Sequence, residues 1–421
     1  MAIKNKVSKQ LRNTRVAIAI PTGRPNVKNV VGSFLKNAEA YGYDLNNFSV
    51  YLSIDTKYRG AKVDAFRLPS ELERKIGHVD YIDERTRDGL AASLSMKEGI
   101  DPKVADILFR GRGYSKQRNA AIYYAAADMN DIAVCFDDDE APYVPVKNRG
   151  GALSWVYPDF FTPHLTALSN GADITRGPCL GYLSPIPSDF EKDIPEDIRR
   201  KLGNALEAGS DVITAGSFFD LMNKLVYLPS SEVGSPTRPF VVNEGPLGKH
   251  IYAGNMAINL QSVRDGKLPA FYTPPAARGE DTIFALQLQD VTVEEVPSYI
   301  FHDAFDMYPG VLEGRLPHSL APVPVNAQTK ERFAQALTGW LKYAPILIEM
   351  TSKSDGEKAD RVKRMVDNIG EPTRQLANLL DCPVFNECEG VLRDYVDKVD
   401  DHLAELKNTQ KIWRGNIVTT M

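Results

Sequence analysis

Cysteine is scarce in this chain: Cys135, Cys179, Cys382 and Cys388 are the only four in 421 residues. No two of them form a C-x-x-C pair, which removes the usual thiol-redox and zinc-ribbon signatures. Cys135 and Cys179 lie in apolar or tight contexts typical of buried thiols, so the set is expected to stay reduced. Long hydrophobic runs are missing too. No apolar stretch approaches the roughly 18 residues a membrane span needs. The apolar run Val16 to Ile20 behind the basic N-terminus stops at Pro21, so neither a signal peptide nor an anchor fits. Neither sign of charge dominates. With 50 basic against 55 acidic side chains, no overall field steers the chain onto nucleic acid or anionic lipid, although a local basic patch stays open. A soluble, cytoplasmic protein is expected, with any membrane contact peripheral.

What is present reads as a globular chain, 43% hydrophobic and 25% charged. Its length exceeds one ordinary core, so two domains, or one large domain with a helical appendix, are expected. Val16-Ala-Ile-Ala-Ile20 is a short continuous apolar run that ends in Pro-Thr-Gly-Arg-Pro, the pattern of a buried parallel strand feeding a loop. Val27, Val30, Val31, Phe34, Leu35 and Ala38 then recur at three and four residues, and Gly42 closes that helix. Phe48, Val50, Leu52 and Ile54 alternate with Ser49, Tyr51 and Ser53 in a second strand that runs into Asp55. The Ala-rich segment from Ser115 to Met129 has helical spacing and leads into a strand from Ile132 to Phe136. This order predicts a mostly parallel sheet with helices on both faces, an α/β class. In such sheets ligands bind beyond the carboxyl ends of the strands, and Asp55 and Asp137 both stand there.

Residues about 185 to 250 are irregular and rich in Ser, Pro and Gly, and are expected to form an insertion over the site. Pro309, Pro317, Pro322 and Pro324 give residues 306 to 326 a linker composition. Beyond it, amphipathic stretches around 329 to 349 and 357 to 380, and a seam of Leu392, Tyr395, Val399, Leu403 and Leu406, predict a helical domain over 327 to 421. Such helices could also pair copies into a homo-oligomer. No internal repeat is present.

Four acids in succession, Asp137 to Glu140, directly after Ala-Val-Cys-Phe would repel one another at a strand end unless a cation neutralises them. Hard oxygen ligands there suit Mg²⁺ or Mn²⁺, which engage one or two carboxylates together with phosphate oxygens. A solvated acidic turn is the alternative for the run taken alone.

The company of the run decides between the two. VAIAIPTGRP, Ser53-Ile54-Asp55, GYSKQRNAAI, VCFDDDE, AGNMAINL, RGEDTIFALQL and Tyr299-Ile-Phe-His302 follow one another in that order. Over roughly residues 15 to 305 the chain resembles the GT-A glycosyltransferases, particularly the family 2 type. The resemblance implies a nucleotide-sugar-binding domain over 1 to 305 and a set of roles for its residues. Pro21, Thr22 and Arg24 of the first loop would border the nucleotide, and Asp55 would read its base, where otherwise it is a cap or turn aspartate. Arg118, beside Asn119, would reach base or phosphate in forked geometry, with Lys116 a further phosphate candidate. In the Asp-x-Asp pattern, Asp139 would bind the metal, Asp137 would touch ribose or a metal-bound water as well as joining the metal site, and Asp138 would space them. His302 would be the third metal ligand and Asp303 the fallback. Gly254 and Asn255 would line the donor-sugar pocket.

Asp281 would act as general base on the acceptor hydroxyl with Glu280 positioning the substrate, although both acids also suit a helix start. A single displacement would then invert the anomeric centre. The donor implied is a UDP- or GDP-linked sugar and the metal Mn²⁺ or Mg²⁺. The acceptor is not named by the sequence, and a nucleic acid stays open. The aromatics Trp155, Tyr157, Phe160 and Phe161 could stack on a sugar ring, or form core. Two other readings are weighed. One is a sugar-phosphate nucleotidyltransferase on a related sheet, which Pro21-Thr22-Gly23-Arg24-Pro25 matches poorly as a Gly-rich basic loop. The other is a non-catalytic binding protein whose C-terminal helices hold a partner.

Overall fold

The computed structural model describes residues 9–148, 150–183, 194–210, 225–234, 237–245 and 248–421. Its centre is an eight-stranded sheet built from β1 (Val16–Thr22), β2 (Phe48–Ile54), β3 (His78–Ile82), β4 (Ile132–Phe136), β5 (Ile174–Arg176), β6 (Phe240–Val241), β7 (Asn255–Asn259) and β8 (Val293–Glu295). Across the sheet the order is β6-β8-β5-β7-β4-β1-β2-β3. Only β6 and β7 run against the rest, since β7 pairs antiparallel with both β4 and β5 and β6 pairs antiparallel with β8. The α/β class read from the sequence, with a mostly parallel sheet and a helical C-terminal region, is therefore the class observed.

Alternation along β1 puts a helix on each face. Val16, Ile18 and Ile20 pack with Val30, Val31 and Phe34 of α1 (Val27–Ala40), and Phe34 stacks on Phe136 with ring centroids 3.8 Å apart. Ala17 and Ala19 face the other way, onto Ala120, Ala121 and Ala125 of a later helix, Tyr114–Ala127. Small residues on both partners let that helix lie close to the sheet. β1 runs two residues further than its apolar run, because pairing with β4 stops at Ala19–Cys135 and Pro21 meets only Ser53 of β2. At that position the missing N–H of proline breaks no ladder bond to β4.

The stretch between β2 and β4, left without elements by the periodicity, contains a one-turn helix (Ser70–Glu73), β3 and two longer helices, α2 (Glu84–Glu98) and α3 (Pro102–Leu108), before α4 (Tyr114–Ala127). A smaller sheet sets Ile300–Asp303 parallel to Cys179–Tyr182 and antiparallel to Glu140–Ala141, with His302 opposite Glu140. That pairing brings the late histidine beside the acidic run. The expected insertion over 185 to 250 falls in part outside the described residues.

Further along, α5 (Glu280–Ala285) precedes the C-terminal region, which holds α6 (Ala327–Thr351), α7 (Asp355–Leu379), α8 (Cys388–Asp397) and α9 (Val399–Ile412). Asn326 and Thr329 form a capping box at the start of α6, satisfying end donors of the first turn. Tyr343, Ile346 and Leu347 of α6 pack with Tyr272, Ile283 and Leu286. The final turns place Trp413, Ile417 and Val418 in the same core as Phe109 and the alanines of α4. Among the described residues no helix is long and apolar enough to cross a membrane.

Candidate functional site

The carboxyl ends of β1, β2 and β4 lie side by side, and the loop after β1 is locked onto the acidic run. Asp138 Oδ2 accepts from Thr22 Oγ1 at 2.8 Å, Gly23 N at 3.1 Å and Arg24 N at 3.2 Å. Gly23 is needed there, because a Cβ would come within 2.6 Å of the Tyr58 side chain. The loop thereby delivers the Arg24 guanidinium to Asp139, Nη1 lying 2.8 Å from Oδ2 and 3.5 Å from Asp138 Oδ1. The contact is an ion pair without hydrogen-bond alignment, and Arg24 Nε has no hydrogen-bond partner.

Burial would raise every carboxylate of the run, and the neighbours decide each outcome. For Asp139, His302 and Arg24 outweigh burial and hold the carboxyl well below its ordinary range. Asp138 is pushed up to about 6, by burial and by Asp139 beside it, against the pull of Arg24 and the loop donors. Glu140 is buried, accepts from Asp137 N at 2.6 Å and from the Tyr252 hydroxyl at 3.2 Å, and is raised well above the usual carboxyl range by burial and by Asp137 and Asp139. Within the run, Asp139 alone is held low, while its neighbours Asp138 and Glu140 are pushed the other way.

Arg118, 4% exposed, is the hub of the second half. Its Nη2 donates to Asp137 Oδ1 at 2.8 Å, its Nη1 to the Ala253 carbonyl at 3.2 Å, and its Nε lies 3.5 Å from Glu280 Oε1. Burial would lower its pKa, but Asp137 and Glu280 outweigh that and keep it charged. Glu280 and Asp281 open α5 after Gly279, whose φ of 82° is left-handed and whose Cβ position lies 2.8 Å from the Tyr343 ring of α6. The N–H of Thr282 donates to Asp281 Oδ1 at 2.9 Å.

His302 Nε2 lies 3.5 Å from Asp139 Oδ1, and its buried Nδ1 has no hydrogen-bond partner. Asp303 is spent otherwise. Its carboxylate accepts from Met307 N at 3.0 Å and Tyr308 N at 2.6 Å, so it caps a turn. Asp55, at the end of β2, accepts from Lys57 N at 2.9 Å and from Arg112 Nε at 2.9 Å, which makes Arg112 a rim residue the sequence did not single out. Gly254 packs its backbone against Glu140 and Tyr252.

Two candidates stand apart from this group. Asn255 is fully buried, bonded through Oδ1 to His164 Nε2 at 3.1 Å and through Nδ2 to the carbonyls of Ser298 at 2.8 Å and Pro178 at 3.2 Å, so its amide is consumed by the core. Lys116 donates to the Arg110 carbonyl at 2.6 Å and lines an open hollow with Lys103, Asp106 and Ile107. Of the aromatic candidates, Phe160 and Phe161 are core, and Trp155 packs edge-on against Phe301.

For a divalent ion, Asp139 and His302 offer one carboxylate and one imidazole facing each other, and the orphaned Nδ1 beneath shows a ring not otherwise committed. That donor pair fits Mn²⁺ or Mg²⁺ with phosphate oxygens completing the shell. Asp137 is turned to Arg118 instead. Among the described residues the one group of three donor atoms at ligand spacing is His78, Asp80 and Asp128. It sits at the amino end of β3, at the edge of the sheet opposite the rim, and Asp128 also accepts from the Tyr51 hydroxyl at 2.8 Å.

The sequence also gave no hint of Arg87, fully buried in α2. Its guanidinium donates to the carbonyls of Ile54 and Ile82 at 3.0 Å, to Gly111 at 3.2 Å and to Ser53 Oγ at 3.3 Å, tying together the ends of β2 and β3. Only its place in an otherwise apolar helix stripe with Leu90, Ala91 and Leu94 could have flagged it.

No family model and no curated protein matches the chain. Among solved structures, residues 1–349 of S. aureus TarS share 11% identity over 93% of this chain and 92% of that one, with a TM-score of 0.34. The same TarS fragment in complex with UDP-GlcNAc gives 10% identity and a TM-score of 0.32. The mannosyltransferase PcManGT from Pyrobaculum calidifontis, in complex with GDP-Man and Mn²⁺, shares 12% identity over 91% of this chain and 86% of that one, with a TM-score of 0.36. Likenesses this remote leave the reading of the site to its own residues.

Proposed function

We propose that the chain is a glycosyltransferase that moves a sugar from a UDP- or GDP-linked donor to an acceptor hydroxyl. The observation that carries the reading is the junction at Arg118. One buried guanidinium ties Asp137, at the nucleotide rim, to Glu280, at the start of α5. Donor-side and acceptor-side acids are thereby held in one network.

Asp139 and His302 would hold Mn²⁺ or Mg²⁺, which when bound neutralises charge on the departing nucleoside diphosphate. Thr22, Arg24 and Asp55 border the same rim and would position the nucleotide. Asp281 takes the proton of the acceptor hydroxyl, whose oxygen then bonds to the anomeric carbon as the bond from that carbon to the phosphate oxygen breaks. Glu280, fixed by Arg118, orients the incoming group. One such displacement inverts the anomeric centre, and NMR of the first-formed product reads it. Retained configuration would remove Asp281 as base and leave the metal pair standing.

The deciding experiment is a thermal-shift screen with UDP, GDP, UDP-sugars and GDP-mannose, each with and without Mn²⁺, because a ligand bound only by the folded chain raises its apparent stability. A Mn²⁺-dependent shift with one nucleotide is expected, lost in Asp139→Ala and kept in Asp281→Asn, which should slow transfer alone. Release of pyrophosphate in place of nucleoside diphosphate would assign the chain to nucleotidyl transfer.

A further inference from the structure

Two arginines are ion-paired with the acidic run, and two more stand on or against α6 without an ion pair among the described residues. Arg24 is paired with Asp138 and Asp139, and Arg118 with Asp137 and Glu280. Arg278 and Arg332 have no carboxylate within ion-pair distance among the described residues. Arg278 stands two residues before Glu280, and its stem lies across Gly339 of α6, where a Cβ would come within 2.7 Å of its Cγ and Cδ. Arg332, on the first turns of α6, donates through Nη1 to the Ala304 carbonyl, and its guanidinium sits 4.8 Å from the centre of the Phe305 ring. Ala304 follows Asp303, whose N–H donates to the Asp139 carbonyl at 2.9 Å. The guanidinium is thus anchored one residue from the strand that carries His302.

The two arginines belong to one electrostatic neighbourhood. Burial lowers the pKa of Arg332, Asp139 opposes that, and Arg24 and Arg278 lower it further. Tyr114, 43% exposed, feels Arg278 together with Asp137 and Asp138. Half-buried guanidinium groups that feel one another repel, and an anion between them would relieve that repulsion. Their forked donors match a phosphate group. Arg24 already serves the donor side, whereas Arg278 abuts the acids assigned to the acceptor.

We infer that Arg278 and Arg332 form a phosphate subsite on the acceptor side of the cleft, so that the acceptor sugar or polyol carries a phosphate group. The acceptor assignment rests on the proposed transferase reading; the anion subsite itself does not. The test titrates inorganic phosphate into the full chain, calorimetrically, with Mg²⁺ and saturating UDP or GDP, whichever binds. Phosphate is expected to bind with the nucleotide in place. Arg278→Gln and Arg332→Gln should each weaken it at least tenfold while changing nucleotide affinity less than twofold, and Arg332→Lys, which keeps the charge without the fork, should fall between. Phosphate that competes with the nucleotide, or variants that lose nucleotide affinity in its stead, would hand both arginines to the donor diphosphate and overturn the proposal, as would unchanged phosphate affinity in folded variants. If no nucleotide binds under any condition, the transferase reading falls. The same titration on the nucleotide-free chain still decides the subsite by whether the arginine variants lose phosphate.

Discussion

Removing Arg118 would strand two acids at once. Asp137 and Glu280 share its guanidinium, which is buried, as Glu280 largely is, while Asp137 keeps part of its contact with water, and breaking a buried pair costs more than never having built it, about 3–5 kcal/mol. Arg118→Met is expected to lose that much in urea denaturation, and adding Glu280→Gln should restore part of it by removing one of the stranded charges. Full stability in the single variant would mean that the acids find other partners. A second residue sets a pH dependence. His164 lies buried between Thr175 Oγ1 at 2.8 Å and Asn255 Oδ1 at 3.1 Å, and burial lowers it from 6.5 to about 4. Between those values the unfolded chain takes up a proton that the folded chain refuses, so stability is complete above the upper value and falls as pH drops, by roughly 3 kcal/mol in full. The stability difference between the wild type and His164→Asn should therefore shrink by about that amount from pH 7 to 4. A constant difference would show that the folded imidazole titrates as it does in the unfolded chain.

At the level of elements, the turn into α5 joins the acids to the C-terminal helices. Gly279 occupies a left-handed conformation under the Tyr343 ring of α6. Gly279→Ala should cost about 1 kcal/mol for the backbone and about 1–3 kcal/mol more for overlap with the ring. Tyr343→Leu is expected to relieve the overlap alone, and a double-mutant cycle measures it as coupling between the two positions. Additive losses would place the ring elsewhere. Elements with a clear period were legible in the sequence: β1, α1, β2, α4 and β4 all follow from runs or stripes of apolar residues. β3 and α2 were not, for physical reasons. β3 is an edge strand whose five residues include only one buried side chain, and α2 buries four, one of them an arginine. At the site, residue types were legible and partners were not. The sequence shows Arg24, Arg118, Asp139 and His302, but the pairings between them span distant parts of the chain and exist only after folding. Asn255 shows the converse, a polar residue in a promising motif whose amide is drawn inward by His164, Ser298 and Pro178.

For the whole molecule, the question is whether the helical C-terminal region stands by itself. Its composition, beyond a Pro-rich stretch, reads as a separate bundle, and α6 with α7 and α8 does bury a cluster apart from the sheet around Phe333, Leu337, Leu376 and Phe385, although that cluster also takes in Ile198, Leu202 and Leu206 of the earlier helix Glu196–Ala208. The last turns behave otherwise. Gln410 bonds Ala270 through both its amide atoms, at 2.8 and 2.9 Å, and Trp413 Nε1 donates to the Leu268 carbonyl at 3.2 Å. The Trp413 ring lies 6.3 Å from that of Phe109, in the core that also holds Ala17 and Ala133 of the central sheet. A tail that completes the core of the sheet couples the two regions in unfolding. Calorimetry of the full chain should then show one cooperative transition. Trp413→Ala, which empties a large buried site, should destabilise that whole transition by about 3–5 kcal/mol. Two resolved transitions, with Trp413→Ala moving only the smaller, would show that the tail packs onto an independently folded sheet domain without being needed by it.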